Sequence, residues 1–520
     1  MIAKTFSAAL VGINALPVSI EVDSHEASSP QGARFVIVGL PDNAVRESGE
    51  RVMSALRAYH YLMPMRSNVV NLAPADLRKG GSAFDLPIAI ALLQACGALT
   101  PANPQQRIMM LGELALNGDI LPVKGALPVA IMARKEHYDA LVVPATNVRE
   151  AAIVNQLPVY GVETLKDVID ICSGHSLLQP LCVNTREEFF ANQQQESDCD
   201  FADVKGQDNV KRALEVAAAG GHNILLVGSP GCGKSMMAKR LPSILPPLTL
   251  AESLETTQVH SVAGQLRRND TLISQRPFRA PHHTVSDVAL VGGGSTFMPG
   301  EICLAHNGVL FLDELPEFSR SVLETLRQPL EDRTITISRA KYTYTLPCSF
   351  MLVASMNPCP CGNLHHPTRP CTCTPTQVQR YLQRISGPLL DRIDLQVEVE
   401  SVPFDALSSA PRGERSADIR ERVVAARRVQ EARYSGHLHV HCNAQMTPAL
   451  MQEFAPLDAA SKERLRDAMQ RLNLSARAYD RIVRVARTIA DLEGTADIRQ
   501  HHIAEAIGYR SLDRASWIED

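Results

Sequence analysis

Apolar and polar positions alternate in short runs through the first third of the chain, which is the pattern of a mixed α/β domain. The runs VSIEVDS, ARFVIVGL and SNVVNLAP predict strands, whereas VRESGERVMSALRAY and FDLPIAIALLQACGAL predict helices. The run IMMLGELALNGDILPV predicts a hairpin that turns at Asn117-Gly118. We therefore assign residues 1–172 to one α/β domain and interpret the polar stretch at 173–201, which contains NQQQESD, as a linker.

The middle of the chain, residues 202–400, alternates apolar strands with helices, as a parallel, doubly wound sheet requires. NILLVG, GVLFLDEL and SFMLVASMN predict strands, and SMMAKRLPSIL predicts a helix. Beyond this core, residues 401–520 are helical in pattern and contain four amphipathic runs. The fold class is therefore α/β, with an N-terminal α/β domain, a core built on a parallel doubly wound sheet, and a C-terminal helical domain.

Composition narrows the class of protein. Hydrophobic residues make up 45% of the 520 positions and charged residues 21%, which excludes a disordered or collagen-like chain, and a net charge of −4 excludes a globally basic nucleic-acid coat. No uninterrupted apolar stretch reaches the length of a membrane span, about 18 residues. The run MIAKTFSAALVGINALP resembles a signal peptide, but Ser7, Gly12 and Asn14 interrupt it. We expect a cytoplasmic protein whose 12 cysteines are reduced.

A glycine-rich turn between the strand NILLVG and the following helix matches the phosphate-binding pattern GxxxxGK[ST]. Glycines in such a turn let backbone N–H groups point at phosphate oxygens, and the helix N-terminus adds partial positive charge. The lysine reaches the β- and γ-phosphates, and the serine hydroxyl ligates Mg²⁺. The alternative is a chance glycine-rich turn. The predicted nucleotide-binding residues are Gly228, Ser229, Pro230, Gly231, Cys232, Gly233, Lys234 and Ser235.

Two further strands end in residues suited to hydrolysis of the bound nucleotide. The apolar run 309–312 is followed by Asp313, which would help to hold Mg²⁺, and by Glu314, which would polarise the attacking water. Asn357 ends the next predicted strand, where its amide would orient that water, although an Asn before Pro358 can also simply start a turn. The intact Asp-Glu pair favours hydrolysis over nucleotide sensing.

The order of phosphate loop, Asp-Glu strand, Asn strand and helical lid resembles that of the AAA+ ATPases. The segments GQDNVKRALEVAAAGGHNILLVG, RPFRAPHHT, GEICLAHNGVLFLDELPEF, SGPLLDRIDL and LSARAYDRIVRVARTIADL resemble the magnesium-chelatase-like AAA+ proteins of the ComM/YifB type, over essentially the whole chain. The resemblance implies a P-loop NTPase core with a helical lid, ATP and Mg²⁺ as cofactors, and a homo-oligomeric ring, a hexamer. It also places Gly206 and Gln207 beside the adenine base.

The same resemblance implies roles for two arginines. Arg392, in LLDRID, would be the arginine that one subunit offers to the ATP of its neighbour. Arg477, in SAR at the start of a lid helix, would be the lid arginine that contacts the γ-phosphate. The alternatives are an intrachain ion pair of Arg392 with Asp391 or Asp394, and a solvated Arg477.

Two basic elements are candidates for contacts with DNA. The first runs from His260 to His283 and contains RAPHHT, and the second, ITISRAKYTYTL, predicts a hairpin with a basic tip that directly precedes the strand of Asn357. In related helicases, elements at these places point into the pore of the ring. The alternatives are two solvated loops or, for RAPHHT, a subunit interface. The candidate DNA-contacting residues are Arg279, His282, His283, Arg339 and Lys341.

Four cysteines form a C-x-C-x9-C-x-C cluster just after Asn357. Four thiolates can close a tetrahedral structural Zn²⁺ site, although C-x-C is less common than C-x₂-C, and His365 or His366 could replace one thiolate. The alternative is four free thiols in a loop. The candidate zinc ligands are Cys359, Cys361, Cys371 and Cys373.

In the N-terminal domain, LRKGGSAFDLPIAIALL and NGDILPVKGALPVAI resemble the segments around the Ser-Lys dyad of Lon-type proteases, which implies a ribosomal-protein-S5-domain-2-like fold. The nucleophile position falls on Ala83, next to Ser82, and the position of the general base falls on Leu127, three residues after Lys124. A Ser-Lys mechanism needs both side chains within hydrogen-bond reach. We therefore expect a Lon-like domain that is not proteolytic and serves assembly or substrate guidance.

Three functions compete at this point. The family resemblance implies a ring-shaped ATP-driven motor on single-stranded or branched DNA, with helicase or branch-migration activity during natural transformation. A second possibility is ATP-driven metal insertion of the magnesium-chelatase type, against which stands the lack of a DxSxS motif. A third is a nonproteolytic Lon-like ATPase regulator that uses ATP as a structural ligand.

Overall fold

The computed structural model describes residues 2–510 except 28–33, 62–65, 194–198, 267–270, 295–296, 340–341, 365, 367, 402–412, 438–439 and 473. The first domain is a seven-stranded mixed sheet in the order β3-β4-β2-β1-β5-β8-β9. Its strands, with the small β6–β7 hairpin, are β1 Ile2–Val11, β2 Asn14–Glu26, β3 Phe35–Val38, β4 Arg66–Ala73, β5 Ile108–Met110, β6 Glu113–Leu114, β7 Ile120–Leu121, β8 Ala140–Pro144 and β9 Val159–Val162. Its helices are α1 Asn43–Ala58, α2 Asp85–Ala95, α3 Ala126–Lys135, α4 Val148–Ala152, α5 Leu165–Ser173 and α6 Thr185–Gln193.

Most predicted elements of this domain are confirmed, including the hairpin between β6 and β7, where Gly118 adopts a positive φ of 88°. The sequence analysis named no element after the hairpin, where α3, β8, α4, β9 and α5 lie, and it also missed β1. The run that resembled a signal peptide contains β1, which lies inside the sheet between β2 and β5. Its small residues Ser7, Ala8 and Ala9 are buried, and the Ser7 hydroxyl donates to Met110 O at 3.0 Å. A strand of small buried residues has little β-propensity of its own, so tertiary packing fixes it.

The segment interpreted as a linker contains helix α6, whose Phe189 is buried against the N-terminal domain. Hydrogen bonds join this domain to the core helix Leu250–Ala263. Gln258 Nε2 donates to Ile13 O at 2.7 Å, and Gly125 N donates to Ser261 O at 3.1 Å. Among the described residues, every helix is too short or too polar to cross a bilayer.

The core sheet is parallel throughout, in the order β11-β14-β17-β10-β18, which confirms the predicted parallel α/β arrangement. Its middle strands β10, β14 and β17 are almost wholly buried, which explains their continuous apolar runs. The strands of the core are β10 Ile224–Gly228, β11 Phe278–Arg279, β12 Gly292–Gly293, β13 Met298–Pro299, β14 Val309–Leu312, β15 Thr334–Arg339, β16 Tyr342–Pro347, β17 Met351–Met356 and β18 Leu395–Val399. The helices are α7 Asp208–Gly220, α8 Lys234–Arg240, α9 Leu250–Ala263, α10 Asp287–Val291, α11 Glu301–Leu304, α12 Arg320–Thr325, α13 Arg327–Asp332, α14 Pro375–Leu382 and α15 Gly387–Leu390.

The C-terminal region is helical, as expected, but its described part has five helices where the pattern predicted four. The additional helix is α17, seven residues long, which is too short to show a helical period. Thr447 caps it by accepting the N–H of Leu450. The five helices are α16 Ser416–Arg433, α17 Pro448–Phe454, α18 Ala459–Arg471, α19 Ala476–Leu492 and α20 Gln500–Gly508.

Candidate active site

The glycine-rich turn joins the end of β10 to the beginning of α8, which is the context that phosphate binding requires. Gly231 and Gly233 have positive φ angles of 82° and 94°, a conformation that favours glycine. Cys232, within the turn, is buried, and its Sγ lies 3.7 Å from Lys234 Nζ. The segment therefore has the strand–loop–helix arrangement in which a helix N-terminus can bind phosphate oxygens.

Lys234 connects the loop to the neighbouring strand. Its ammonium donates to Gly228 O at 2.6 Å, to Ser229 O at 3.0 Å and to Asn357 Oδ1 at 3.2 Å. The contact with Asn357, 123 positions later in the chain, brings the predicted water-orienting amide to the phosphate loop. These three oxygens accept the hydrogen bonds that the Lys234 ammonium would otherwise donate to phosphate oxygens.

Ser235 and Asp313 also meet, since Ser235 Oγ donates to Asp313 Oδ2 at 2.7 Å. The other carboxylate oxygen of Asp313 accepts a hydrogen bond from Ser355 Oγ. Hard oxygen ligands are those that Mg²⁺ prefers, and two oxygens at this separation fit neighbouring positions around one ion or its water shell. The pair thus fits the predicted Mg²⁺ site, in which the ion would neutralise charge on the β- and γ-phosphates.

Glu314 follows Asp313 in the left-handed backbone conformation, with φ at 54°, and its side chain is 56% exposed. Its backbone N–H donates to Ser355 Oγ at 3.4 Å. Because the Glu314 side chain is largely exposed, water can reach its carboxylate. His283 Nδ1 lies 3.9 Å from Glu314 Oε2, so the RAPHHT segment borders the candidate site.

The remaining RAPHHT residues are held by neighbours within the chain. Arg279 forms a two-pronged ion pair with Glu301, with Nε–Oε2 and Nη2–Oε1 distances of 2.7 Å each. His282 Nδ1 lies 3.0 Å from Thr284 Oγ1, and its ring packs on that of His283 at 4.0 Å. Arg279 is therefore engaged with Glu301, and His283 lies beside Glu314 at the candidate site. Contacts of Arg279, His282 and His283 with DNA stay a prediction.

The second basic element is a hairpin, as predicted. Strands β15 and β16 pair from Thr334↔Pro347 to Arg339↔Tyr342. One face buries Ile335 and Ile337 against the core, and the other carries exposed hydroxyl pairs, Thr336 with Thr345 and Ser338 with Thr343. Lys341 lies outside the described residues, and for Arg339 the structure describes the backbone alone.

Gly206 and Gln207 directly precede helix α7, and both have positive φ angles. The Gln207 amide donates to Glu400 O, which directly follows the last residue of β18. Because β18 ends beside the phosphate loop, with Val399 paired to Gly228, this segment borders the same edge of the sheet. The predicted position near the adenine base is compatible with that placement.

Arg392 is ion-paired within the chain, but the partner is Glu331 at the end of α13 and not Asp391 or Asp394, as the sequence analysis considered. Its Nη1 also donates to Pro388 O at 2.7 Å, and its side chain is only 13% exposed. Arg477 is 65% exposed and lies 3.5 Å from Asp391, measured from Nη1 to Oδ2. Both predicted arginines therefore lie at the same segment, far along the sequence from the phosphate loop.

The four clustered cysteines come together in space. Their Sγ atoms lie within 4.8 Å of one another, with Cys359–Cys361 at 3.3 Å and both Cys359–Cys371 and Cys361–Cys371 at 3.6 Å. A tetrahedral zinc site with Zn–S bonds of about 2.3 Å would separate the sulfurs by about 3.8 Å. Burial raises the pKa of the Cys361 thiol, but backbone N–H donors outweigh it and lower this pKa to about 5. The cluster thus fits Zn²⁺. His366 is not part of the cluster, and His365 lies outside the described residues.

The cysteine loop touches the phosphate loop directly. A Cβ on Gly362 would lie 2.4 Å from Pro230 Cδ, and Gly362 has a φ of 79°. Only glycine satisfies both the left-handed backbone and this close approach. The cluster therefore supports the outer side of the phosphate loop.

We expect zinc to copurify at about one ion per chain, because a closed four-thiolate site binds tightly at neutral pH. Cys371→Ser should lose the metal, unfold at a lower temperature and hydrolyse ATP more slowly, since the loop supports Pro230 through Gly362. Elemental analysis of anaerobically prepared protein measures the first effect, and thermal unfolding and ATPase assays measure the others. Cys182→Ser, at an exposed and unclustered thiol, is the control. Metal-free protein, together with an unchanged Cys371→Ser, would contradict a zinc site.

The N-terminal domain does not bring its candidate serine and lysine into one pair. Ser82 Oγ donates to Glu113, whereas Lys124 Nζ lies 3.8 Å from Met298 Sδ in the core. Leu127, at the position of the general base, is fully buried. These contacts favour the expectation that the domain lacks a Ser-Lys dyad.

Several site residues were not found from the sequence. Ser355 holds Asp313, Glu301 holds Arg279, and Glu331 holds Arg392. Each partner is separated from the residue it binds by 22 to 61 positions, and a lone Ser or Glu has no local signal. The position of Ser355 at a strand end was the one hint available.

Comparison with known proteins supports the same grouping of elements. The family model described as magnesium chelatase, subunit ChlI, matches residues 200–407. The model described as subunit ChlI of Mg-chelatase matches residues 20–147, and that of the ChlI C-terminal region matches residues 413–510. Together they cover all three parts of the chain.

The chain is similar to several bacterial proteins over nearly its whole length. It is 44% identical over 514 residues to the competence protein ComM of Haemophilus influenzae, covering 99% of this chain and 98% of that protein. It is 41% identical over 514 residues to YifB of Escherichia coli, covering 97% and 96%. Similarity to the magnesium-chelatase subunit ChlI of Olisthodiscus luteus is 24% over 169 residues, covering 30% of this chain and 50% of that protein.

Proposed function

Because the chain belongs to the ComM/YifB family of magnesium-chelatase-like AAA+ proteins, we propose that it is an ATP-hydrolysing motor that acts on DNA. The observation that carries the ATPase part is the convergence of Lys234, Ser235, Asp313 and Asn357 around one phosphate loop. The relative ComM is named a competence protein, which supports a role in processing DNA that is taken up during natural transformation. Specifically, we propose that it has helicase or branch-migration activity.

Each of the site residues has its own role in the proposed hydrolysis. The phosphate loop and Lys234 bind the β- and γ-phosphates, and Ser235 with Asp313 would hold Mg²⁺, which neutralises phosphate charge. Glu314 accepts a proton from the attacking water, and Asn357 fixes the position of that water. The Asp-Glu pair is intact, which favours hydrolysis over a regulator that keeps ATP as a structural ligand.

We further propose that the protein works as a hexameric ring in which Arg392 reaches the ATP of the adjoining subunit. Phosphate carries more negative charge than the carboxylate of Glu331 and binds a planar guanidinium through two hydrogen bonds, so it can displace that partner. The pair of Arg392 with Glu331 is then the arrangement of a subunit without a neighbour. Six copies around a pore would also concentrate the basic hairpins in an acidic protein.

The β15–β16 hairpin is the proposed DNA-contacting element. It is followed by β17, which ends one residue before Asn357, so a change at the nucleotide can shift its base. Its exposed hydroxyls, with the basic residues at the tip, suit a phosphate backbone and carry no code for base sequence. Metal insertion of the chelatase type is less well supported, since the ChlI relative covers 30% of this chain.

Neutralising the hairpin tip, with Arg339→Gln and Lys341→Gln together, tests DNA binding. Affinity should fall similarly for all sequences, and the slope of log affinity against log salt should become shallower by about 0.9 per lost duplex contact. Basal ATPase should persist, whereas DNA stimulation and strand displacement should fall. Binding can be measured by fluorescence anisotropy at several salt concentrations, with Arg464→Gln on helix α18 as a surface control. A double variant that binds and unwinds DNA as the parent does would exclude this hairpin as the translocating element.

A further inference from the structure

The turn between β1 and β2 is partly buried, although a turn of this kind normally lies at the surface. It consists of Gly12 and Ile13, because β1 ends at Val11 and β2 begins at Asn14. Gly12 is buried and adopts a φ of 63°, and Ile13 is half-buried. A Cβ on Gly12 would find its nearest neighbours in the core domain, and not in the sheet to which β1 and β2 belong.

The β1–β2 turn lies against one side of the β15–β16 hairpin. A Cβ on Gly12 would be 3.6 Å from Tyr344 Cδ1 and 3.8 Å from Leu346 Cδ2, which are van der Waals distances. Ile13 packs against the hydrophobic cluster that contains Ile335 and Leu346, a cross-strand pair of the hairpin. The N-terminal domain therefore contacts the element that we propose for DNA binding.

This contact is made on the buried face of the β15–β16 hairpin. Tyr344 pairs across the hairpin with the buried Ile337, whereas Thr343 and Thr345, its neighbours along the strand, are exposed on the other face. Phe297 of the core also packs on the Tyr344 ring, with ring centroids 4.6 Å apart. The β1–β2 turn and Phe297 thus hold the hairpin from its buried face and leave its hydroxyl face open.

The β1–β2 turn is anchored to the core independently of the β15–β16 hairpin. The Ile13 carbonyl oxygen accepts a hydrogen bond from Gln258 Nε2 of α9 at 2.7 Å. Lys124, also in the N-terminal domain, lies with its Nζ 3.8 Å from Sδ of Met298, the residue that follows Phe297. Because these contacts do not involve the hairpin, the turn can act as a fixed support for it.

Such a support matters because two strands alone have little stability and keep their orientation only through packing. Residues 348–350 join β16 to β17, the strand that precedes Asn357. A hairpin without support from the side would pivot on this short connection when its tip is displaced. With Tyr344 held by the turn, the displacement is transmitted to β17 and reaches Asn357 at the ATPase site.

We propose that the β1–β2 turn positions the β15–β16 hairpin, with Ile13 and Tyr344 as positioning residues that couple DNA binding to ATP hydrolysis. The inference rests on the proposed function, in which this hairpin contacts DNA. The N-terminal domain then serves the motor as a fixed support and takes no part in the chemistry. DNA still binds when the contact is lost, since the charges at the hairpin tip remain, but its binding no longer changes the ATPase site.

The coupling is measured in the full-length protein as the increase in ATPase rate caused by saturating single-stranded oligonucleotide. In Ile13→Ala and in Tyr344→Ala, this increase should fall by about fivefold or more, the lower end of coupling between sites. In Ile13→Ala, the basal rate and the dissociation constant for the oligonucleotide should stay within about twofold of the parent, because Ile13 lies outside the phosphate loop and the hairpin tip. The double variant should lose no more than either single variant, since both changes remove one contact.

Conservative variants and a matched control separate positioning from stability. Tyr344→Phe keeps the ring and should keep the stimulation, and Ile13→Val should lie between the parent and Ile13→Ala, which keeps the test usable if the larger change prevents folding. Leu16→Ala is the matched control, because Leu16 lies on β2 close to the turn but is 45% exposed. It should respond to DNA as the parent does.

Three outcomes would overturn the inference. Unchanged stimulation in the Ile13 and Tyr344 variants, together with its loss in the Arg339→Gln and Lys341→Gln double variant, would do so and leave the proposed function standing. A parallel fall of basal rate and stimulation in Ile13→Ala and Ile13→Val would do so as well, because the turn would then only stabilise the fold. If the tip variant and the turn variants all bind and respond to DNA as the parent does, the proposed role of the hairpin is overturned too.

Discussion

Replacing Glu314 by Gln is expected to lower ATP turnover by about 10²–10⁴-fold while ATP binding is retained. An amide cannot accept the proton of the attacking water as a carboxylate does, but it has the same size. Nucleotide binding should survive because Lys234 contacts Asn357, and Ser235 contacts Asp313, without involving the Glu314 side chain. Steady-state phosphate release measures turnover, and fluorescent ATP titration measures binding.

The matched control is Glu317→Gln, since Glu317 follows on the same turn and is engaged with Arg384 at 2.9 Å. It should leave turnover near that of the parent. If Glu314→Gln hydrolysed ATP at the parental rate, another group would have to activate the water. His283, which lies beside Glu314, would then be the first residue to examine.

Replacing Arg392 by Ala is expected to lower turnover by about 10³–10⁵-fold, the range seen when an arginine that stabilises the transition state is removed. Each subunit should still bind ATP, because Arg392 lies at the opposite end of the sheet from its own phosphate loop. The effect should appear in kcat and not in ATP affinity. Single-turnover kinetics at saturating ATP give the first quantity, and equilibrium titration gives the second.

The substitution also removes an intrachain ion pair, so its structural effect must be separated from its catalytic effect. Glu331→Gln breaks the same pair and leaves the guanidinium in place. It should retain most of the turnover, since exposed pairs contribute about 1 kcal/mol or less and Glu331 is itself 64% exposed. Equal loss of turnover in both variants would mean that Arg392 acts by stabilising the subunit.

The chemistry of the site was predictable where it is continuous in sequence. Eight successive residues, 228–235, form the phosphate loop, and Asp313 follows a strand that is apolar throughout. The partners of these residues were not predictable, because contacts such as Arg392 with Glu331 join segments that only the tertiary fold brings together. The sequence analysis offered Asp391 and Asp394 because they were close in the chain.

Secondary structure was likewise predictable only where the signal is continuous in the sequence. Helix α19 shows a clear apolar stripe and was predicted, whereas α17 and α6 are short and were not. The α6 segment also contains many polar residues, so composition suggested a linker although Phe189 anchors it. Elements that depend on burial by distant residues carry no local sequence signal, so they were not predicted.

The position of strand β1 in the sheet determines the order in which its neighbours can pair with it during synthesis. It pairs with β2 over ten residues as soon as both have been synthesised, but its other neighbour, β5, begins only at Ile108. At about 5–20 residues per second, the ribosome needs several seconds to supply that strand. During this interval the nascent hairpin exposes an unpaired backbone edge, which is a template for pairing with another chain. A deletion or tag that disturbs Ile2–Val11 would therefore reduce the yield of folded protein and leave the chemistry of those molecules that do fold unchanged.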